Sequence, residues 1–363
     1  MTPATNLAVA AAVCIILAVF LRPQSGLLWR WLRGRRATER VRIEDALKHL
    51  YDCEYARVSA TLDSLAGALE IGRDAAARLT ARLETLGLLV SEHRQLKLTP
   101  EGCSYALRVI RIHRLLESYL AERTGINESE WHTRADQLEH RVTAAEAERL
   151  AAQLGNPSYD PHGDPIPTAE GVMPARRGMP LSELETGTIA RILHVEDEPD
   201  EVYAQLVAAR LSPGVMLRVL ESKPERMRIE AELQEHVLAP VVAANLTVEP
   251  ISDVAERILP DSRLSSLGLG QQATVVDISP ACRGAERRRL LDLGVVPGTV
   301  IRAELVSTSG DPVAYRIRGA MIALRNAQAD LIHVKMHATT HATMHDSAAP
   351  SEGDDLGDGR MRA

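Results

Sequence analysis

The chain has 363 residues, of which 45% are hydrophobic and only 3% aromatic, so it can form several domains with aliphatic cores. Its net charge of -7 does not exclude nucleic acid as a partner, because arginines cluster near the start and acidic residues near the end. The four cysteines are scattered without a CxxC motif, which argues against a disulfide framework and against a zinc finger.

The first predicted element is an apolar segment over residues 4–22, unbroken from Leu7 to Leu21 and just long enough to cross a bilayer. No Lys or Arg precedes it, unlike in a cleaved signal peptide, and a basic linker follows over residues 23–40. By the positive-inside rule this pattern predicts a single-pass transmembrane anchor in the inner membrane, with the bulk of the chain in the cytoplasm. The alternative is a buried or disordered apolar N-terminus.

Residues 41–103 show three short helical patterns followed by two alternating, strand-like runs. Gly72 separates the second helix from the third, Gly87 ends the third, and a polar turn joins the strands. This order predicts a winged helix-turn-helix domain, whose third helix would enter the major groove of double-stranded DNA. The side chains predicted to contact DNA are Arg73, Arg78, Thr80, Arg82 and Arg94. The alternative is a small helical domain with a solvated arginine face.

The next predicted domain, over residues 104–168, is helical and carries two groups of metal-ligand residue types. One long helix places His113 and Glu117 one turn apart, and a second helix places four more candidates within about a quarter of its circumference. These four are His132, Asp136, Glu139 and His140. If the two helices pack together, so many carboxylates require a cation among them. Oxygen and imidazole ligands without thiolate favour Mn(II) or Fe(II), whereas the alternative for each residue alone is an ordinary surface side chain.

The order of these parts resembles a known family of proteins. A winged helix followed by "RIHRLLESYL", "WHTRADQLEHRVTAAEAERL" and "NPSYDPHGDPIP" is similar to the DtxR/MntR family of metal-dependent transcriptional repressors, over residues 41–168. The resemblance implies a homodimer in which bound metal sets the two recognition helices at the spacing of a palindromic DNA operator. The recognition helix departs from the family at Ala75, Ala76 and Ala77, so the resemblance implies no operator sequence.

The resemblance also implies two metal sites in each chain. The primary site matches Asp45, Asp136, Glu139 and His140, and the ancillary site matches His113, Glu117 and His132, with His113 shared in some members. Asp136 occupies a position where iron-type members have Cys, and Asp45 one where they have Met, so both favour the manganese-type ligand set. Lys48 occupies a position where the manganese type has Glu, which argues against a binuclear manganese centre of that kind. The implied metal is therefore Mn(II) or Fe(II).

The C-terminal half contains one pattern of short strands twice, over residues 179–252 and 263–337. The second copy, with "RRLLDLGVVPGTVI" and "GDPVAYRIRGAMIALR", resembles the FeoA family of small SH3-like barrels associated with ferrous iron transport, and the first is a degenerate copy. Because SH3-like domains of the repressor family can lend a carboxylate to the ancillary site, Glu196, Asp197 and Glu198 are candidates. His162 lies in a turn rich in Pro and Gly and is predicted to be structural. The tail over residues 338–363 is predicted to be disordered.

These predictions combine into a multi-domain α+β protein with a transmembrane helix, a winged helix-turn-helix, a helical dimerisation domain and two SH3-like β-barrels. We expect a metal-responsive transcriptional regulator that represses metal-uptake genes, with Mn(II) or Fe(II) as co-repressor. Neither β copy contains a pair of nucleophile and base, so we do not expect an enzyme. The alternative is a membrane-associated accessory protein of ferrous iron transport, whose FeoA-like domains bind an iron permease.

Overall fold

A computed structural model describes residues 39–93, 95–251 and 261–337 of the chain. The segment predicted to span the membrane, most of the basic linker, Arg94 and the C-terminal tail lie outside these residues. Among the helices that the structure describes, none is long and apolar enough to cross a membrane.

The first described domain is a winged helix. Its elements are α1 (Glu39–Tyr55), α2 (Leu62–Ala68), α3 (Arg73–Thr85), β1 (Leu89–Glu92) and β2 (Gln95–Leu98). In α1, Ile43, Leu47 and Leu50 recur at helical spacing and are buried in the core of the domain. A capping box begins α2, because the side chains of Thr61 and Ser64 each accept a hydrogen bond from the other residue's backbone N–H. The antiparallel pair of β1 and β2 forms the wing.

The second described domain is helical. Its helices are α4 (Pro100–Arg123), α5 (Trp131–Glu139) and α6 (Ala144–Gln153). The Thr99 side chain caps α4 by accepting a hydrogen bond from the Gly102 N–H at 3.0 Å, and Pro100 at the first helical position needs no such partner. The 24 residues of α4 pack against α1, α5 and α6. This helix therefore joins the winged helix to the helical domain.

Two β-domains follow, and each combines a six-stranded antiparallel sheet with two short helices. The first β-domain (residues 179–250) consists of β3 (Met179–Pro180), β4 (Ile189–Val195), α7 (Asp200–Ala208), β5 (Met216–Lys223), β6 (Arg226–Ala231), β7 (Gln234–Leu238), α8 (Pro240–Ala244) and β8 (Leu246–Pro250). The second β-domain (residues 262–336) consists of β9 (Ser262–Arg263), β10 (Gln272–Ile278), α9 (Gly284–Asp292), β11 (Val300–Val306), β12 (Val313–Ile317), β13 (Ala320–Leu324), α10 (Asn326–Ala329) and β14 (Ile332–Met336).

The two β-domains repeat one topology. The strand order is β3-β8-β4-β5-β6-β7 in the first sheet and β9-β14-β10-β11-β12-β13 in the second, so every strand has a counterpart. The register irregularity between β4 and β8 recurs between β10 and β14, and the one between β5 and β6 recurs between β11 and β12. Each domain has its own apolar core. The duplicated sequence pattern thus corresponds to two copies of one fold.

Candidate metal centre

Helices α4 and α5 meet along a surface that is rich in histidine and carboxylate groups. A first cluster consists of His113 from α4 with His132 and Asp136 from α5, whose ligand atoms all lie within 4.8 Å of one another. His113 Nε2 lies 3.3 Å from His132 Nδ1, and His113 Nδ1 lies 3.3 Å from Asp136 Oδ1. His132 and Asp136 are one helical turn apart, which is why both face α4.

A second cluster joins the winged helix to the helical domain. It consists of Asp45 from α1 with Glu139 and His140 from the end of α5, again with ligand atoms within 4.8 Å of one another. His140 Nε2 lies 3.3 Å from Asp45 Oδ1 and 3.6 Å from Glu139 Oε1. A cation bound by all three side chains would hold α1 against α5.

Lys48 of α1 places its ammonium group between these two clusters. Its Nζ lies 3.1 Å from Asp136 Oδ1, 3.0 Å from Glu139 Oε1 and 3.3 Å from His113 Nδ1. Burial alone would lower the pKa of Lys48, but the carboxylates of Asp136 and Glu139 outweigh it and raise the pKa above its usual value. The chain itself therefore neutralises part of the negative charge of its candidate ligands.

A carboxylate that sequence reasoning missed orients His140. Glu44 is 2% exposed, and its Oε2 lies 2.6 Å from His140 Nδ1. Its Oε1 accepts hydrogen bonds from Tyr105 Oη at 2.9 Å and from Arg40 Nε at 2.7 Å. A carboxylate on one imidazole nitrogen directs the other toward a metal, here Nε2 toward the second cluster. The signal in the sequence is a charged residue on the apolar face of α1, three residues before Leu47.

A third cluster lies where the helical domain meets the first β-domain. It consists of Glu117 from α4, His162 from the turn after α6, and Asp197 from the loop after β4. His162 Nδ1 lies 3.8 Å from Glu117 Oε2 and 3.8 Å from Asp197 Oδ2. Asp197 Oδ2 also lies 3.1 Å from His132 Nδ1, so the third cluster adjoins the first. Of the three carboxylates proposed from the sequence for this loop, Asp197 is the one that reaches the cluster.

His162 is fixed in this cluster from several directions, although its turn was predicted to be merely structural. Its N–H donates to Asp160 Oδ1 at 2.9 Å, and its carbonyl accepts from the Val195 N–H at 2.8 Å. Its ring lies 6.0 Å from the Trp131 ring and 5.4 Å from the Tyr203 ring, and the residue is 2% exposed. The sequence signal for this role was the histidine in the "DPHG" turn, because His162 occupies a buried position where an apolar residue would be usual.

Protons hold these ligand groups together when metal is absent. Burial by itself would lower the pKa of His132, but its hydrogen bond with Asp197 and further pairings raise it to about 10. Burial likewise opposes charge on His140, yet hydrogen bonds led by the one with Asp45 raise its pKa to about 9. Burial would raise the pKa of Asp136, but its histidine and lysine neighbours bring it below its usual range. A metal ion that binds here must displace protons.

The donors fit Mn(II) or Fe(II). The three clusters contain carboxylate oxygens and imidazole nitrogens, and the described cysteines Cys53, Cys103 and Cys282 belong to none of them. Hard oxygen ligands mixed with imidazole suit Mn(II) and Fe(II), whereas thiolates select Zn(II) and Cu(I). His162 Nε2 is buried and has no hydrogen-bond partner among the described residues.

The candidate DNA-contacting side chains lie mostly on the exposed surface of α3. Arg73, Arg78 and Arg82 are exposed, and Arg82 Nε lies 2.9 Å from Glu39 Oε1. Arg94 in the wing lies outside the described residues. Arg73 Nε lies 3.3 Å from Asp63 Oδ1, so contact with DNA would require Arg73 and Arg82 to exchange these surface ion pairs for phosphates or base edges.

Thr80 does not fit its predicted role in DNA contact. It is 8% exposed and lies on the face of α3 that also buries Ala76, Leu79 and Leu83. Residues spaced by three and four positions share one face of a helix, so this threonine points into the core of the domain. We correct the prediction accordingly.

Comparison with known protein families matches both halves of the chain. Residues 99–168 match the iron dependent repressor, metal binding and dimerisation domain. Residues 179–250 and residues 262–336 each match the FeoA domain. The first match coincides with the helical domain, which carries most of the candidate ligands, and the other two coincide with the β-domains.

Individual relatives agree with these matches. The chain is 31% identical over 171 residues to the iron-dependent repressor IdeR of Mycobacterium leprae, which covers 42% of this chain and 73% of that protein. It is 33% identical over 122 residues to the diphtheria toxin repressor of Corynebacterium diphtheriae, covering 33% of this chain and 54% of that protein. A solved manganese-dependent transcriptional repressor in complex with manganese superposes with a TM-score of 0.52 and 26% identity, over 57% of this chain and 100% of its own.

These findings correct the predicted localisation. The relatives just described are named as repressors, and no helix within the described ranges is long and apolar enough to cross a membrane. We therefore withdraw the prediction of a single-pass membrane protein. The chain is a member of the DtxR-type family of metal-dependent repressors, and it carries two FeoA domains.

Proposed function

We propose that this protein is a DNA-binding transcriptional repressor that responds to Mn(II) or Fe(II) and governs genes of metal uptake. The observation that carries the proposal is the second cluster, in which Asp45 of the winged helix meets Glu139 and His140 of the helical domain. The names of the relatives, which are iron-dependent and manganese-dependent repressors, support the same conclusion.

Metal binding promotes DNA binding by fixing the orientation of the winged helix. A bound divalent cation supplies positive charge and a defined coordination geometry at the second cluster. Asp45 then ties α1 to α5, and Glu44 keeps His140 directed at the same point. In a homodimer this holds two α3 helices at the separation of a palindromic operator, whereas without the cation the two domains are more weakly coupled.

We assign the candidate ligands to two ions in each chain. Asp45, Glu139 and His140, with Asp136 beside them, form the primary site. Glu117, His162 and Asp197, with His113 and His132 beside them, form the ancillary site. Lys48 supports this assignment, because its ammonium group occupies the space between the clusters and disfavours an additional ion there.

The exposed arginines of α3 form the proposed DNA interface. Arg73, Arg78 and Arg82 are exposed, which supports contacts with phosphates and guanine edges of the major groove. Because arginine contacts to phosphate release counterions, the affinity for DNA should fall steeply as salt is raised.

The alternative function, an accessory role in ferrous iron transport through binding of an iron permease, rests on the two FeoA domains. The contacts of these domains favour a role inside the repressor instead. The first β-domain contributes Asp197 to the third cluster, and the second packs on the helical domain through Arg288, which donates to the Glu122 carbonyl at 2.7 Å.

The proposal is tested with the full chain. Sites would be selected from random double-stranded DNA in the presence of Mn(II), and their affinity then measured with Mn(II), with anaerobic Fe(II) and without metal. We expect metal-dependent binding that is lost on combining Asp45→Ala with His140→Ala. Gln137→Ala, on the exposed face of α5, is the matched control and should behave like wild type. Equal DNA binding with and without metal, in wild type and double variant alike, would contradict the proposal.

A further inference from the structure

The second β-domain packs on the helical domain close to the third cluster. Arg288 of α9 donates from Nη1 to the Glu122 carbonyl at 2.7 Å, at the C-terminal end of α4. Gly284, with φ +58°, approaches the same end so closely that a Cβ atom on it would lie 2.9 Å from the Ala121 carbonyl oxygen. Both contacts lie about one turn beyond Glu117, the ligand that α4 contributes to the third cluster.

Arg283, immediately before α9, contacts the other two parts of the same region. Its Nη2 donates to the Pro161 carbonyl at 2.9 Å, and its Cζ lies 5.9 Å from the centre of the Trp131 ring. Pro161 directly precedes His162, and Trp131 directly precedes His132. One side chain of the second β-domain thus contacts the immediate neighbours of two candidate ligands.

The indole of Trp131 connects Arg283 to His162. The Trp131 and His162 rings are 6.0 Å apart, and the guanidinium of Arg283 lies over the same indole. The Trp131 Nε1 donates to the Ile126 carbonyl at 3.1 Å, so the indole has a fixed orientation. Arg283 therefore contacts the Pro161 carbonyl directly and the ring of His162 indirectly, through the indole of Trp131.

We propose that Arg283 is a positioning residue for the third cluster, through which the second β-domain sets the affinity of that cluster for a divalent cation. This inference rests on the proposed function, in which Glu117, His162 and Asp197 bind metal. The charge-assisted hydrogen bond to the Pro161 carbonyl restricts the turn before metal arrives, and the guanidinium over the indole restricts Trp131, whose ring adjoins that of His162. Ligands that are already in place lose less entropy on binding, so the cluster binds its ion more tightly.

The test isolates the third cluster by working in a full-length His140→Ala parent, in which the primary site is impaired. Mn(II) binding to this parent is titrated by electron paramagnetic resonance of the free ion. We expect Arg283→Gln to weaken binding at the remaining site about tenfold, as loss of a partner of a metal ligand typically does. Arg316→Gln is the matched control, because Arg316 lies on β12 and pairs with Glu304 of its own domain at 2.8 Å.

Two further variants separate positioning from a loss of folding. Arg283→Lys keeps a donor for the Pro161 carbonyl and should recover part of the affinity. Gly284→Ala leaves Arg283 unchanged but forces α9 away from the Ala121 carbonyl, and it should weaken Mn(II) binding as Arg283→Gln does.

Amide hydrogen exchange of the metal-free protein supplies a readout that is independent of metal. The amides of His162 and Gly163 donate to Asp160 at 2.9 and 3.1 Å, and both should exchange faster in Arg283→Gln. Unchanged Mn(II) affinity in Arg283→Gln, or an equal loss in Arg316→Gln, overturns the inference while leaving the proposed function intact. A His140→Ala parent that binds no Mn(II) overturns the metal-binding role of the third cluster and this inference with it.

Discussion

The metal region has two sides that hold their carboxylates together differently. On the winged-helix side, the Lys48 ammonium lies 3.1 Å from Asp136 and 3.0 Å from Glu139. On the β-domain side, Glu117 and Asp197 pair with histidines, and no Lys or Arg of the described chain forms an ion pair with either.

This difference shows how the ammonium group of a lysine can neutralise carboxylates that would otherwise need a metal ion. Lys48 of α1 links the winged helix to Asp136 and Glu139 of α5, and under the proposed function metal at the second cluster would add to that link. The β-domain side relies on protonated imidazoles, whose protons a metal ion can displace, whereas the winged-helix side has protonated His140 in addition to Lys48. We therefore expect the two sides to differ in stability without metal and in their sensitivity to substitution.

Replacing Lys48 with Met should have the largest effect, because it removes the charge that distinguishes the winged-helix side. Glu139 has a fully buried side chain, and removal of one partner from a buried ion pair costs about 3–5 kcal/mol. We expect the free energy of unfolding of the metal-free protein to fall by an amount of that order, and Mn(II) to restore much of it. Urea unfolding followed by tryptophan fluorescence, with and without Mn(II), measures both effects.

The matched control for this substitution is Lys97→Met in the wing, where the lysine side chain is half exposed and pairs with Glu92. Solvent screens exposed ion pairs, so they contribute little to stability, and the control should remain close to wild type. A loss of stability in Lys48→Met that Mn(II) does not restore would show that the ammonium does not stand in for a cation.

The pH dependence of metal binding is the next test, and it should appear on both sides, because the pKa of His132 on the β-domain side is also raised, to about 10. The pKa of His140 is raised to about 9, so below that pH its imidazole carries a proton that competes with metal. Affinity at the primary site should therefore rise with pH, by about tenfold per unit and about a hundredfold between about pH 6 and about pH 8. Mn(II) titrations at several pH values measure the slope, and His140→Ala should remove this site's contribution. A wild-type Mn(II) affinity that does not change with pH would contradict this prediction.

Removing Asp197 tests the β-domain side directly. Asp197→Ala takes one carboxylate from the third cluster and should weaken Mn(II) binding there at least as much as loss of an outer-sphere partner, about 10–100-fold. Calorimetric titration should show one tight ion fewer while the primary site keeps its affinity. Glu185→Ala, an exposed carboxylate of the same β-domain, is the control. Equal losses at both sites would mean that the two clusters are one coupled unit.

The smallest effect is expected at the contact between the two β-domains, which keeps the β-domain side together. His333 Nε2 lies 3.1 Å from Glu232 Oε2, and His333 Nδ1 lies 2.6 Å from Asp277 Oδ1. Burial would lower the pKa of His333, but the hydrogen bonds with Asp277 and Glu232 raise it to about 9. Its stabilising contribution is therefore complete below the unfolded pKa of about 6.5 and is lost as the pH rises through about 9.

Glu232→Gln should remove about 1–2 kcal/mol of this stabilisation near pH 7, and less at pH values above the pKa of His333. Thermal unfolding across this pH range measures the loss. Glu225→Gln, at an exposed position of the same β-domain, should have no such pH-dependent effect. A loss that grows with pH would reverse the sign and contradict this account of His333.

Much of this organisation follows from the sequence, because it depends on local geometry. Backbone hydrogen bonds fix the rotation of a helix at about 100° per residue, so His132 and Asp136 on α5 necessarily share a face, as do His113 and Glu117 on α4. The order of elements and the repeated strand pattern likewise predict a winged helix, a helical domain and two copies of one β-fold.

The tertiary structure alone decided which side chains meet across elements. Lys48 lies 88 residues from Asp136, and His162 meets Asp197 through the docking of a β-domain that no helical periodicity specifies. The burial of Thr80 and the role of Glu44 also depend on packing, since the sequence places both on helices without saying what covers them. Local backbone geometry therefore determined which candidate ligands share a helix face. The packing of domains determined how these ligands are grouped and placed the Lys48 ammonium group among them.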